Sequence, residues 1–293
     1  MIFSWLVKQP TKGNRSRGRA VFSCLYFLFL IATQVSLTKT KLMSLTAFIT
    51  GATSGIGKAT AELFAKNNIR LVLCGRRKER LEELQKELGK RTDVTTLEFD
   101  VRNKEQVFNA INSLPKNFSD IDILLNNAGN AHGLSTIQDG DVDDWDAMID
   151  INVKGLLYVS KAIIPKMIER NTGFIVNIGS VAGKEVYPNG NVYCASKHAV
   201  NALNKAMRID LNKYNIRVSG IHPGAVETEF SDVRFKGDTE KAKSMYLGYK
   251  ALQAEDIADI IKFVVTRPYH VNIEDLIVYP TAQANATIMN KEI

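Results

Sequence analysis

Tyr193 and Lys197 stand four residues apart in Tyr193-Cys194-Ala195-Ser196-Lys197. That spacing puts both side chains on one face of a helix. A tyrosine hydroxyl titrates near ~10, too high for a base at neutral pH. A lysine ammonium beside it favours the phenolate and moves that value toward the working range, so the pair is a candidate acid/base couple. Ser180 lies thirteen residues before Tyr193, at the end of Asn177-Ile178-Gly179-Ser180, where its hydroxyl can hold a substrate oxygen beside the phenol. Asn152, in Ile151-Asn152-Val153-Lys154-Gly155, falls in a helical stretch. A buried amide there can distort the helix and hold a water linked to Lys197. Alone, a Tyr/Lys pair at this spacing is an ordinary surface pair; with Ser180 and the turn described next it points to proton transfer at a substrate oxygen.

The turn is Thr50-Gly51-Ala52-Thr53-Ser54-Gly55-Ile56-Gly57, between an apolar run and a helical pattern. Glycines at a strand-to-helix turn let backbone approach a pyrophosphate, which then sits on the free N–H groups of the helix N-terminus. The spacing is G-x3-G-x-G rather than the commoner G-x-G-x-x-G, and the flanking strand and helix decide against a ligand-free turn. Gly51, Ala52, Thr53, Ser54, Gly55 and Ile56 are therefore candidate dinucleotide contacts. The second apolar run ends in Cys74-Gly75-Arg76-Arg77. An acidic residue at that place would take the ribose 2′-hydroxyl of NAD; Arg76 and Arg77 instead invite a 2′-phosphate, that is, NADP. Asp100, before Val101, either bonds an adenine amino group or caps the helix that starts near Asn103. Asn126-Asn127-Ala128-Gly129 either lets the chain pass close to a cofactor or stabilises its own turn.

These residues need a frame, and the chain supplies one. β-rich runs occur at 45–50, 70–74, 94–99, 122–126, 173–178, 216–222 and 275–279, with helical patterns between them, among them 58–66, 78–89, 105–113 and 256–265. Near-continuous apolar runs such as FIVNI and LVLC are strands buried on both faces. Strand–helix alternation of this kind predicts one α/β domain with a doubly wound parallel sheet of seven strands. The segment 226–249 has weak strand character and several charges, and reads as a cap over a site. At 293 residues, 45% hydrophobic and 24% charged, the composition excludes a disordered or collagenous chain.

The net charge of +7 is local. Residues 1–42 hold seven basic residues and no acidic one, so the remaining 31 basic residues balance 31 acidic ones and no nucleic-acid surface is implied. Three sparse cysteines, Cys24, Cys74 and Cys194, fit reduced thiols. His132, His198, His222 and His270 have no metal spacing, so no metal is expected. The apolar run Val21–Ala32 is 12 residues long, short of the ~17–25 of a membrane-spanning helix. Residues 1–42 are read as an over-extended start, with translation beginning at Met43. The alternative is a membrane anchor through residues 21–35. Secretion ranks third, because no small-x-small cleavage site follows.

TGATSGIG, NNAG, the set Asn152, Ser180, Tyr193 and Lys197, and Pro223-Gly224 together resemble the short-chain dehydrogenase/reductase family over about residues 45–280. The resemblance implies a Rossmann-like fold with strand order 3-2-1-4-5-6-7. It implies a tyrosine acid/base, a serine that orients substrate, a lysine on the nicotinamide ribose that lowers the tyrosine pKa, and Asn152 in a proton relay. On it the cofactor-binding set becomes the turn residues with Arg76, Arg77, Asp100, Val101, Asn127, Tyr193, Lys197, Pro223, Gly224, Val226 and Thr228. GRRKERL, EFSDVRFKGD and VNIEDLIVYPTAQA are similar, more narrowly, to the NADP-dependent serine 3-dehydrogenase and 3-hydroxy acid dehydrogenase group. That implies a cytoplasmic homotetramer oxidising L-serine, allo-threonine or 3-hydroxypropionate. The alternatives are a 3-oxoacyl thioester or general carbonyl reductase, and a non-catalytic cofactor-binding protein. A small hydroxy acid also needs a cation for its carboxylate. Arg234 is that candidate, weighed against an ion pair with Asp232, Asp238 or a neighbouring subunit.

Overall fold

Seven runs of aliphatic and β-branched residues line up as one parallel sheet in the computed structural model, which describes residues 45–292. The strands are β1 (Thr46–Thr50), β2 (Arg70–Gly75), β3 (Val94–Glu98), β4 (Ile123–Asn126), β5 (Gly173–Ile178), β6 (Ile216–Pro223) and β9 (Asp275–Val278), with the order β3-β2-β1-β4-β5-β6-β9. Counted along this sheet, that is the expected 3-2-1-4-5-6-7. Central strands β1, β4 and β5 are buried at every residue, and edge strands β3 and β9 are not. This is why the central runs carry no alternation of polar residues. A separate pair, β7 (Val226–Glu227) and β8 (Leu252–Gln253), lies outside the sheet.

The helices cover both faces. On one side lie α3 (Lys104–Asn112), α5 (Leu156–Glu169) and α6 (Asn191–Leu211), whose Val107, Ile163, Met167, Val200 and Leu211 pack with Phe48, Val72 and Leu124. On the other, α1 (Gly55–Lys66) packs against α9 (Ala254–Val265), and α2 (Lys78–Leu88) follows β2. Helix α4 (Val142–Ile149) precedes α5, and α7 (Phe230–Arg234) with α8 (Thr239–Ser244) forms the segment read as a cap. A buried polar chain ties the frame together under the strand ends. Asn126 Nδ2 donates to Ser160 Oγ at 3.0 Å and to Asn177 Oδ1 at 2.9 Å, and Asn177 Nδ2 donates to Asn204 Oδ1 at 2.9 Å. The order reverses between β1 and β4, and open α/β sheets hold their ligands in the crevice at the carboxyl ends of such strands.

The expectations for residues 1–42 and for Cys24 lie outside the described residues. Among the described residues, no helix is long and apolar enough to cross a membrane, and no three His, Cys, Asp or Glu side chains are placed to hold a metal ion.

Candidate active site

A cavity of about 650 Å³ opens at the reversal of strand order. Its floor at one end is the glycine turn. Gly51 has φ +64°, a conformation that L side chains rarely adopt. A methyl group on Gly57 would collide with the Gly51 carbonyl and with Asn127 Nδ2. Asn127 Nδ2 donates to the Thr50 and Gly51 carbonyls at 2.9 and 3.2 Å, so this side chain fastens the turn. Ser54 precedes α1 but does not cap it; its hydroxyl accepts from Arg77 Nη2 at 2.8 Å. The first N–H groups of α1 are thus left for a ligand, and a pyrophosphate fits them in charge and in space.

One expectation fails at this end; Asp100 lines the cavity, so only its alternative as a helix cap falls away. Ala52 does not face the cavity: it is fully buried, and its N–H donates to the Cys74 carbonyl at 3.0 Å, tying the turn to β2. Asp100 does not cap α3, a role taken by Asn103, whose side chain accepts from Gln106 N at 3.0 Å. The Asp100 carboxylate instead accepts from the Arg102 backbone and guanidinium at 2.7–3.0 Å. Thr53, Ser54, Gly55, Ile56, Arg76, Arg77, Val101, Pro223, Gly224, Val226 and Thr228 all line the cavity. Arg77 lies over the turn, donating through Nε and Nη2 to Thr53 Oγ1 at 3.1 and 2.9 Å. Arg76 is 60% exposed and only 3.8 Å from Asp100. The open guanidinium of Arg76 beside Arg77, with no acid at the end of β2, fits a 2′-phosphate.

At the other end, α6 presents Tyr193 and Lys197 from one face, both buried. Lys197 Nζ donates to the Ile178 carbonyl at 3.0 Å and stands 6.0 Å from the centre of the Tyr193 ring. Burial lowers the lysine to about 8. Burial also pushes the Tyr193 phenol above its ordinary value, helped by Tyr187, while the Ser180 hydroxyl and Arg234 pull it the other way. Lys197 does not figure among the causes of the shift in the chain alone. The chain alone desolvates the phenol more than it stabilises its charged form.

Ser180 follows β5 and accepts from Ala182 N at 3.1 Å. Asn152 sits in a π-helical turn, Asp150–Gly155, between α4 and α5. It is 1% exposed; its Oδ1 accepts from Asn130 N at 2.9 Å, and its Nδ2 donates to Asn130 O at 2.8 Å and Ser196 Oγ at 3.0 Å. It therefore lies behind the cavity wall and holds the loop after β4 against α6.

Arg234, at the end of α7, is brought over the phenol, 5.6 Å from the ring centres of both Tyr193 and Tyr187. Its Nη2 donates to Tyr187 Oη at 3.0 Å. Asp232 and Asp238 make no ion pair with it, and among the described residues no carboxylate lies within 4 Å of it. Lys236, its neighbour in sequence, bridges Asp141 and Asp144 on the surface. Sequence reasoning missed Tyr187, which belongs to no motif and reaches the cavity from the loop before α6, and Asn130, whose role is carried by its backbone. The tail 285–289 also lines the cavity, with nothing in its sequence to announce it.

A doubly wound sheet with a phosphate-binding turn at one end of its cavity and a buried tyrosine–lysine pair at the other is the architecture of a nucleotide-dependent oxidoreductase. The chain belongs to the short chain dehydrogenase family, whose model matches residues 45–238. It is 46% identical over 239 residues to the NADP-dependent 3-hydroxy acid dehydrogenase YdfG of Salmonella typhi, covering 81% of this chain and 96% of the relative. It is 46% identical over 243 residues to sulfoacetaldehyde reductase 2 of Chromohalobacter salexigens, covering 83% and 96%. Among solved structures, the closed form of serine dehydrogenase complexed with NADP+ superposes with a TM-score of 0.80 at 43% identity, covering 83% of this chain and 98% of that one.

Proposed function

We propose that the protein is an NADP-dependent oxidoreductase acting on the 3-hydroxyl of small hydroxy acids such as L-serine, allo-threonine or 3-hydroxypropionate. One observation carries the substrate class: a guanidinium, Arg234, is 9% exposed, lies over Tyr193 and has no carboxylate partner among the described residues. A buried cation without a counter-charge is costly, and a substrate carboxylate beside Tyr187 relieves that cost. Arginine suits it because its planar fork binds both oxygens. The 43–46% identity to 3-hydroxy acid and serine dehydrogenases supports the same reading.

The turn of Gly51–Ile56 and the N-terminus of α1 would hold the pyrophosphate, Arg76 and Arg77 the 2′-phosphate, and Lys197 the nicotinamide ribose. A bound NADP+ would supply the hydride acceptor, and its positive charge would favour the phenolate of Tyr193. Ser180 holds the substrate oxygen. Tyr193 accepts the hydroxyl proton in oxidation and returns it in reduction. The raised phenol suits the second direction, because a protonated tyrosine is ready to donate to a carbonyl oxygen. Asn152 keeps Asn130 and Ser196 in place behind the pair. On family likeness we place the enzyme in the cytoplasm as a homotetramer, its catalytic domain beginning near Met43.

The test is initial rates with NADP+ on L-serine, 3-hydroxypropionate, a 3-hydroxybutyryl thioester and an uncharged alcohol of similar size, followed by Arg234→Met. Cutting one partner of a buried charge pair costs ~2–5 kcal/mol, so the KM for serine should rise by about thirtyfold or more. The uncharged alcohol should be unaffected. Equal loss on both substrates, or on neither, moves the carboxylate site elsewhere. A sulfonate suits the same guanidinium, and sulfoacetaldehyde with NADPH is the second substrate to assay.

A further inference from the structure

Glu229 stands just before α7, and two arginines from far upstream claim it. Arg77 Nη1 donates to its Oε2 at 2.8 Å. Arg80 Nη1 donates to its Oε1 at 2.7 Å and its Oε2 at 3.0 Å. Arg77 is itself fixed on the phosphate-binding turn through Thr53 and Ser54. Directly after Glu229, Phe230 sets its ring 5.8 Å from that of Tyr193, and one turn later Arg234 lies over the same ring. One five-residue helix is thus tied at its start to the adenosine end of the cavity and presents its last residue to the reacting end.

Other attachments of α7 carry no ion pair: Gly133 N donates to the Arg234 carbonyl at 2.9 Å, Ser231 Oγ meets Tyr246 Oη at 2.6 Å, and Arg234 Nη2 donates to Tyr187 Oη at 3.0 Å. Among the described residues, Glu229 is the only side chain of 229–234 that enters an ion pair. A helix this short has little stability of its own. Its position is set by what holds its ends.

We propose that Glu229 is the latch of α7: through Arg77 and Arg80 it holds the helix at the depth where Arg234 meets the acidic group of the substrate. Glu229 is a positioning residue, and its effect on substrate rests on the reading of Arg234 above. The Glu229 side chain is 45% exposed, so the pairs are individually modest. They gain from geometry, since one carboxylate bridges two guanidinium groups.

The experiment compares the full-length enzyme with Glu229→Gln, Arg80→Gln and the double variant, all of which leave Arg76 and Arg77 in place. Hydrogen–deuterium exchange of amides 230–236 reads the helix without turnover. Calorimetry reads NADP+ binding, and steady-state rates separate KM from kcat. A latch predicts a loss of protection by about twofold to fivefold in Glu229→Gln, a smaller loss in Arg80→Gln, which keeps the Arg77 pair, and a double variant no worse than Glu229→Gln. The KM for serine should rise by a similar factor, with kcat within about twofold and the uncharged alcohol unaffected. Unchanged exchange, additive losses or an unaltered serine KM each overturn the proposal. So does a Glu229→Gln enzyme that binds NADP+ more tightly with an unaltered serine KM, because Glu229 would then merely compete with the 2′-phosphate for Arg77. Arg234→Met keeps the two readings apart. If it leaves the serine KM unchanged, the clamp is wrong; if it raises KM while Glu229→Gln does not, the latch alone is wrong.

Discussion

Tyr193 is enclosed by Phe230, Tyr187 and Arg234, and burial raises its phenol. Removing the hydroxyl tests whether its proton is the one transferred. Tyr193→Phe keeps the ring and its packing, so NADP+ binding should persist while kcat falls by ~10²–10⁴-fold. Near-normal turnover in that variant would move the acid/base role to another group. At the opposite end of the cavity, Arg76 and Arg77 differ in how they are held: Arg77 is fixed by Thr53, Ser54 and Glu229, and Arg76 is largely free. A hydrogen bond to a charged group is worth ~1.5–3 kcal/mol. Arg76→Ala with Arg77→Ala should therefore weaken NADP+ by roughly 10²-fold or more in a calorimetric titration, with NAD+ much less affected. Equal losses for the two cofactors would show that these arginines do not read the 2′-phosphate.

The elements place these groups through two local departures from regularity. One is the π-helical turn at 150–155, whose wider winding turns Asn152 inward. The other is the glycine turn before α1. Within a helix, glycine to alanine ordinarily stabilises by ~1 kcal/mol. Gly57→Ala should do the reverse, because its new methyl group meets the Gly51 carbonyl, which is backbone and cannot swing aside. Overpacking of this kind costs ~1–3 kcal/mol. A melting curve should show a lower Tm, and NADP+ should bind more weakly, since the displaced turn is its seat. A raised Tm would mean that the turn yields more easily than its contacts suggest.

At the scale of the whole fold, the buried imidazole of His222 couples stability to mildly acidic pH. It is 0% exposed on β6, with Nε2 2.9 Å from Asp275 Oδ1. Burial and Lys184, which shares the Asp275 carboxylate, outweigh that attraction and lower the imidazole to about 4. The folded protein then carries a neutral His222 where the unfolded chain carries a charged one. Between pH about 4 and ~6.5 the unfolded state binds the extra proton, so stability falls as the pH falls. One such proton contributes a slope of roughly 1.4 kcal/mol per pH unit. Denaturant titrations across this window should give a shallower slope for His222→Gln by about that amount. Identical slopes would show that His222 takes up its proton at the same pH in the folded and unfolded states.

What the sequence by itself determined is what depends on neighbours along the chain. Apolar runs such as FIVNI dictate strands buried on both faces, and their alternation with helices dictates the doubly wound sheet. The glycine turn, the Tyr193–Lys197 spacing and the arginines after β2 were legible because each works over a few residues. Tertiary structure alone decided what depends on residues far apart. Ala52 turned away from the cavity to bond β2, and Asp100 yielded the cap of α3 to Asn103 while its carboxylate paired with Arg102. Arg234 met Tyr187, 47 residues away, rather than Asp232 or Asp238, and Glu229 met Arg77, 152 residues away. The direction of the Tyr193 shift belongs with these, because desolvation depends on how many atoms of the whole fold surround the phenol, and no local spacing encodes that number.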